Sequence, residues 1–204
     1  SVRLREHESY ANYAKDLGKK DAPIEALELF RNGDASNGVT LPMKGEDLNT
    51  ADVEFTVKEQ SDNRIVFEYL GDDDQSIKFI YTLTPGQYDL DYDILILGFG
   101  GKVTPKNVMF NWNTAYRKTE RLFSEQRRVS TVCYSYEEEG FSYLSEMSSD
   151  DEDAEEDIDW VCYKQSYFSS FLRPDKPFAK SGSSFKVKTY EEGDDRDTSH
   201  LKQY

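Results

Sequence analysis

Histidine is nearly absent, with only His7 and His200 among 204 residues, and cysteine is limited to Cys133 and Cys162. Neither histidine has a recognisable catalytic neighbourhood, and no Gly-x-Ser-x-Gly accompanies them. A nucleophilic enzyme built on Ser-His or Cys-His is therefore disfavoured. The cysteines form no Cys-x-x-Cys and no Cys/His cluster, which argues against zinc. No apolar run reaches the roughly 18 residues that a membrane-crossing helix needs. Gly98-Phe99-Gly100-Gly101 lacks the Lys-Ser/Thr and the βαβ setting of a phosphate loop and reads as a turn. Positive charge is also in deficit, with 25 Lys and Arg against 40 Asp and Glu for a net charge of -15. A chain this acidic repels nucleic acid and anionic headgroups. The sequence thus predicts no catalytic residue, no cofactor, no metal and no nucleic-acid partner.

What the chain does have is aromatic side chains, with 14 Tyr and 12 Phe. These favour pleated, half-buried surfaces over helices. Val53, Phe55 and Val57 alternate with polar residues, as do Ile65, Phe67 and Tyr69, then Ile77, Phe79 and Tyr81, then Tyr88, Leu90, Tyr92, Ile94 and Ile96. Turn residues separate the four runs at roughly 12-residue spacing, which predicts an antiparallel meander with one face in a core and one in water. Further strands are predicted at 2–5, 39–41, 108–113, 129–136 and 185–190, with a hairpin at 137–144. Residues 10–23 read as an exposed connection. The segment from Pro23 to Phe30 fits a short helix or neither period, and Asn32-Gly33 and Asn37-Gly38 both read as turns. Residues 117–128 read as a charged connection with one helical turn. No internal repeat or composition shift divides the chain.

Three features invite chemical readings. Asp89, Asp91 and Asp93 share one strand face and could serve glycoside chemistry, but alternation explains them as the solvated side of a sheet. Residues 148–159 include the dense acidic tract from Asp150 to Asp159. Its carboxylates repel one another, so it reads as a mobile surface loop. It lacks the spaced glycine and ligand order of a calcium loop. Cys133 and Cys162 both lie in strand-like runs. They read as sheet-face or core thiols, with a disulfide left open because connectivity cannot be read from spacing.

The richest aromatic and aliphatic run is 158–172, bounded behind by Arg173-Pro174-Asp175-Lys176-Pro177, and it reads as one central strand. Within it, Trp160, Lys164, Gln165, Tyr167, Phe168, Ser169 and Ser170 resemble a signature of the large periplasmic domain of YidC membrane protein insertases, in the form seen in Bacteroidetes. Two flanks are similar as well: Ile77 through Tyr88 follows the family's strand, glycine turn, aromatic, strand unit, and Phe110-Asn111-Trp112 precedes a charged segment with Glu120 and Glu125. The acidic tract departs from the family pattern.

The resemblance implies an all-β fold, a twisted antiparallel β-supersandwich of the galactose-mutarotase-like kind with little helix. It implies a single periplasmic domain over 1–204, excised from a larger inner-membrane protein and set between that protein's first two membrane helices. It further implies a non-catalytic accessory role in membrane protein insertion, with Sec translocon subunits and membrane-protein substrates as partners through the parent protein. The motif residues themselves are expected to be structural. The mutarotase-like shape keeps a rival open, a carbohydrate-binding or sugar-epimerase protein. That chemistry pairs an imidazole with a carboxylate, for which His7 and His200 are poorly placed.

Overall fold

The structure, a computed structural model, describes residues 2–8, 26–72, 74–104, 108–117, 119–120, 122–138, 140–190 and 202–203. The predicted connection at 10–23 lies outside them. The chain opens with β1 (Val2–Glu8), β2 (Ala26–Phe30), β3 (Ala35–Leu41) and β4 (Leu48–Asn49), followed by a 3-10 turn at Thr50–Asp52. Then come β5 (Thr56–Gln60), β6 (Arg64–Leu70), β7 (Ser76–Leu83), β8 (Leu90–Leu97) and β9 (Met109–Thr114). After the short helix α1 (Phe123–Arg128) follow β10 (Thr131–Tyr136), β11 (Gly140–Tyr143), β12 (Asp150–Asp153) and β13 (Ile158–Lys164). The last strands are β14 (Ser169–Leu172), β15 (Ser184–Thr189) and β16 (Lys202–Gln203). The architecture is mostly antiparallel β, consistent with an all-β sandwich.

The chain divides into two compact units, Ser1–Ser36 with Trp112–Tyr204, and Asn37–Asn111. In the second, the meander forms as predicted, with strand order β5-β6-β7-β8. Its core face carries Ile77 and Phe79, flanked across the strands by Phe67, Tyr69, Tyr92, Ile94 and Ile96 and packed with Val39, Leu41 and Phe99. Phe55 stacks on Phe79 at 4.8 Å between ring centroids, and Tyr81 on Tyr92 at 4.6 Å. Full burial of a side chain such as Ile77 contributes about 2 kcal/mol. Two boundaries differ from the alternation pattern. Val53 and Phe55 precede β5 rather than opening it, and Tyr88 lies exposed in the turn before β8.

Asn37-Gly38 is not a turn but the middle of β3. A Cβ at Gly38 would sit 2.5 Å from Thr50 Oγ1. The missing side chain lets Thr50 reach in and accept the Val39 N–H at 2.9 Å. Gly98 does turn, with φ +79° and no room for a Cβ, which would meet the Asp74 carbonyl oxygen at 2.5 Å.

In the first unit, the segment ending at Phe30 is strand rather than helix. Leu27 and Phe30 of β2 pair with Leu4 and Val2 of β1. The core gathers Val132, Tyr134 and Tyr136 from β10, Leu144, Ile158, Tyr163, and Phe185 and Val187 from β15. Tyr134 stacks flat on Phe185 at 3.9 Å. Nearby, Asp34 is buried and accepts from Arg117 Nη1 at 3.1 Å and from the Arg31 N–H at 2.8 Å.

The acidic tract is not a loop throughout. Asp150–Asp153 form β12, paired with β15 through Asp150↔Val187, Asp151↔Lys186, Glu152↔Phe185 and Asp153↔Ser184. Pairing needs only the backbone, so Asp151 and Asp153 keep their carboxylates in water while the chain is held. Asp150 also accepts the Ser145 N–H at 2.8 Å, and Asp157 accepts the Lys180 N–H at 2.9 Å.

Candidate functional site

The signature residues sit in the sheet ordered β11-β10-β13-β14. The single strand predicted over 158–172 is instead two strands folded back on each other. Gln165 donates its N–H to the Phe168 carbonyl at 2.8 Å and closes the turn between β13 and β14. Trp160 and Lys164 lie on β13, and Ser169 and Ser170 on β14, opposite Lys164 and Tyr163. Gln165, Tyr167 and Phe168 belong to the turn.

These side chains have separate surroundings. Lys164 Nζ meets Glu146 Oε1 at 2.7 Å, and that hydrogen bond raises the ammonium pKa. Gln165 is buried, and its Oε1 accepts from Gln126 Nε2 at 3.4 Å. Gln126, fully buried on α1, also accepts the N–H groups of Thr119 and Glu120 and donates to the Arg117 carbonyl. Phe168 meets the His7 ring edge-on at 6.3 Å, while Tyr167 is 77% exposed. The structure therefore groups Lys164 with Ser169 and ties Gln165 to α1, but turns Tyr167 to solvent. Gln126 and Glu146 were not singled out from the sequence, since nothing in their local neighbourhood marks a buried amide or an ion-pair partner 18 residues from Lys164.

The face of this sheet opposite the core is aromatic. One row across the strands runs Phe141, Ser135, Trp160, and the next runs Tyr143, Cys133, Cys162, Phe171. Trp160 lies 4.8 Å from Phe171 and 5.9 Å from Phe141 between ring centroids, and Phe141 lies 5.9 Å from Tyr143. Phe141, Tyr143 and Phe171 are all exposed. The row buries the two cysteines in its middle, directly opposite one another, with both thiols free. Burial pushes the Cys133 thiol up to about 11 and raises Cys162 as well. Both are thus held as neutral thiols, poor nucleophiles at neutral pH.

His7 is exposed on β1, and His200 lies outside the described residues. Asp91 and Asp93 are exposed on β8, and Asp89 is exposed ahead of it. Among the described residues no group of three or more His, Cys, Asp or Glu side chains is placed to hold a metal ion.

A family model described as the YidC periplasmic domain matches residues 7–199. The chain belongs to the YidC periplasmic domain family. Its relatives include proteins named membrane protein insertase YidC. That of Bacteroides fragilis is 27% identical over 167 residues, covering 81% of this chain and 26% of the relative. That of Parabacteroides distasonis is 26% identical over 197 residues, covering 95% and 29%. That of Cytophaga hutchinsonii is 38% identical over 98 residues, covering 47% and 16%. The chain spans less than a third of the length of these curated relatives. No solved structure matches it. This YidC domain is of the Bacteroidetes type and is a periplasmic domain of an inner-membrane protein. Among its described residues no helix is long and apolar enough to cross a membrane.

Proposed function

We propose that this domain is a non-catalytic accessory part of a membrane protein insertase. It supports insertion and folding of membrane proteins through contacts with Sec translocon subunits or nascent chains, while the insertion path itself lies in the rest of the parent protein. The observation that carries this reading is the family match over nearly the whole chain, to relatives named as insertases. Among the described residues His7 is exposed on β1 and burial raises both thiols, which supports reading the domain as a binding module. On the same reading Trp160, Lys164, Gln165, Tyr167, Phe168, Ser169 and Ser170 are structural, with Gln165 tying the β13–β14 turn to α1 and Lys164 paired with Glu146.

The test is photocrosslinking in the intact parent protein, with a crosslinker placed at successive exposed positions of this domain in inner membranes. Adducts with translocon subunits or with a membrane protein under synthesis are expected. Their absence from every position, together with saturable hexose binding and turnover by calorimetry, would replace this reading with the sugar-epimerase one.

A further inference from the structure

We propose that the outer edge of β11 is a docking site for an extended polypeptide segment, added as a further strand, with apolar residues at alternate positions and a basic end. Leu144 donates its N–H to the Val132 carbonyl at 3.0 Å, and the same register pairs Tyr134 with Ser142 and Tyr136 with Gly140. Bonded pairs alternate along an antiparallel ladder. Gly140 and Ser142 therefore bond to β10, while Phe141 and Tyr143 turn their N–H and C=O groups away from it. β11 ends the sheet on that side, with no further strand among the described residues.

The same two residues carry the exposed rings, 62% and 55% accessible. Backbone groups free to pair and apolar side chains thus come from the same positions. An added strand would satisfy the first by its own backbone and lay alternate side chains beside Phe141 and Tyr143. A lipid or a sugar can cover the rings but cannot continue the ladder.

Charge selects the occupant further. Glu137 and Glu138 lie exposed in the turn that feeds β11, within a chain of net charge -15. They favour a basic end on the incoming segment. They disfavour a second copy, since antiparallel pairing of two β11 edges would set these glutamates near Glu146 of the other copy. Most sheet edges carry charges that discourage strand addition. β5 holds Lys58 and Glu59, and β8 holds Asp91 and Asp93, whereas β11 carries none. β14, the opposite edge, offers a single exposed ring, Phe171, followed by Arg173, and suits a basic segment less.

The proposal deepens the accessory reading, because stretches of an unfolded membrane protein have this chemistry, and its test is independent of translocon contact. The probe is a fluorescein-labelled peptide of alternating valine and threonine with lysine at each end, followed by anisotropy against the 204-residue chain. Saturable binding is expected, weakened at least tenfold when the peptide's amides are N-methylated. Tyr143→Pro removes an outward N–H without touching a β10 bond and should weaken binding at least tenfold with an unchanged circular dichroism spectrum. Should that variant not fold, Phe141→Thr with Tyr143→Thr keeps strand propensity, removes both rings and should lower affinity by a similar factor. Equal binding of the N-methylated peptide, equal binding by a folded variant, or self-association without peptide binding would each overturn the proposal. Peptide binding in a parent protein that yields no translocon crosslinks would leave this site standing and count only against the accessory reading.

Discussion

The sheets β5-β6-β7-β8 and β11-β10-β13-β14 each turn one face to a core of aromatic and branched side chains, and they differ on the other. On the first, Glu68 is buried between Lys58 and Lys78, each 3.1 Å away, with Asp91 and Asp93 exposed further along the same side. On the second, Phe141, Tyr143, Trp160 and Phe171 form a contiguous set of rings over two free thiols. Two four-stranded antiparallel sheets can therefore share a core-building rule and diverge on the side that rule leaves open. The first outer face sets its charges around two buried aliphatic side chains, Val66 and Ile80, whereas the second leaves a run of rings exposed.

The comparison is broken most severely by attacking what the sheets share. Tyr134→Ala and Ile77→Ala, one in each core, should cost about 4 and about 3 kcal/mol, read from urea unfolding curves. Similar losses would show that each unit's core sets its stability. If either variant lost less than about 1 kcal/mol, the corresponding cluster would not be a packed core.

Acid should next separate the outer faces. Hydrogen bonds from Lys78 and then Lys58 hold the Glu68 carboxyl below its ordinary 4.5. A lowered folded pKa means that the stability it contributes is complete above 4.5, the unfolded value, and is lost as pH falls through the folded one. Glu68→Gln should therefore flatten the fall in melting temperature below pH 4.5. Glu28, lowered by Arg31 and then Arg3, has the same sign and should account for part of the slope that remains.

The aromatic face makes its own prediction. With the Cys133 thiol pushed up to about 11 by burial, iodoacetamide at neutral pH should label Cys133 and Cys162 at least tenfold more slowly in the folded chain than in urea. Rapid labelling by mass spectrometry would mean that the rings do not cover the thiols. The smallest effect belongs to Phe141→Ser, an exposed edge substitution that should change stability by less than about 0.5 kcal/mol in the same urea assay. A large loss there would recast Phe141 as a packing residue and remove the basis for a docking role.

Much of this organisation was legible in the chain. The meander from β5 to β8 announces itself because each strand pairs with its neighbour in sequence, and two-residue alternation shows which side is apolar. The hairpin of β10 and β11 was legible for the same reason. β12 was not, because its partner β15 lies more than 30 residues on, at Ser184–Thr189. A row of carboxylates taken alone looks like a solvated loop. Gly38 misled for a related reason, since its missing side chain serves Thr50, which no local pattern reveals. The site was legible in part. The signature from Trp160 to Ser170 pointed to the family, yet the bend at Gln165 and its link to Gln126 appear only in three dimensions. The outer aromatic face was hidden by β11 itself. In Phe141-Ser142-Tyr143-Leu144 the rings look like the inward set, but the structure buries Leu144 and leaves the rings in water.

Strand-forming side chains, turn residues and the two-residue period determined, without any tertiary information, that this protein is built from antiparallel strands. These are local properties, set by sterics within a few residues. Tertiary structure alone decided that the rings of β11 face away from the core, which distant strand the acidic segment joins, and that two cysteines 29 positions apart lie opposite one another. Those outcomes depend on register and burial between segments far apart in sequence, where a shift of one residue would turn every side chain to the other face.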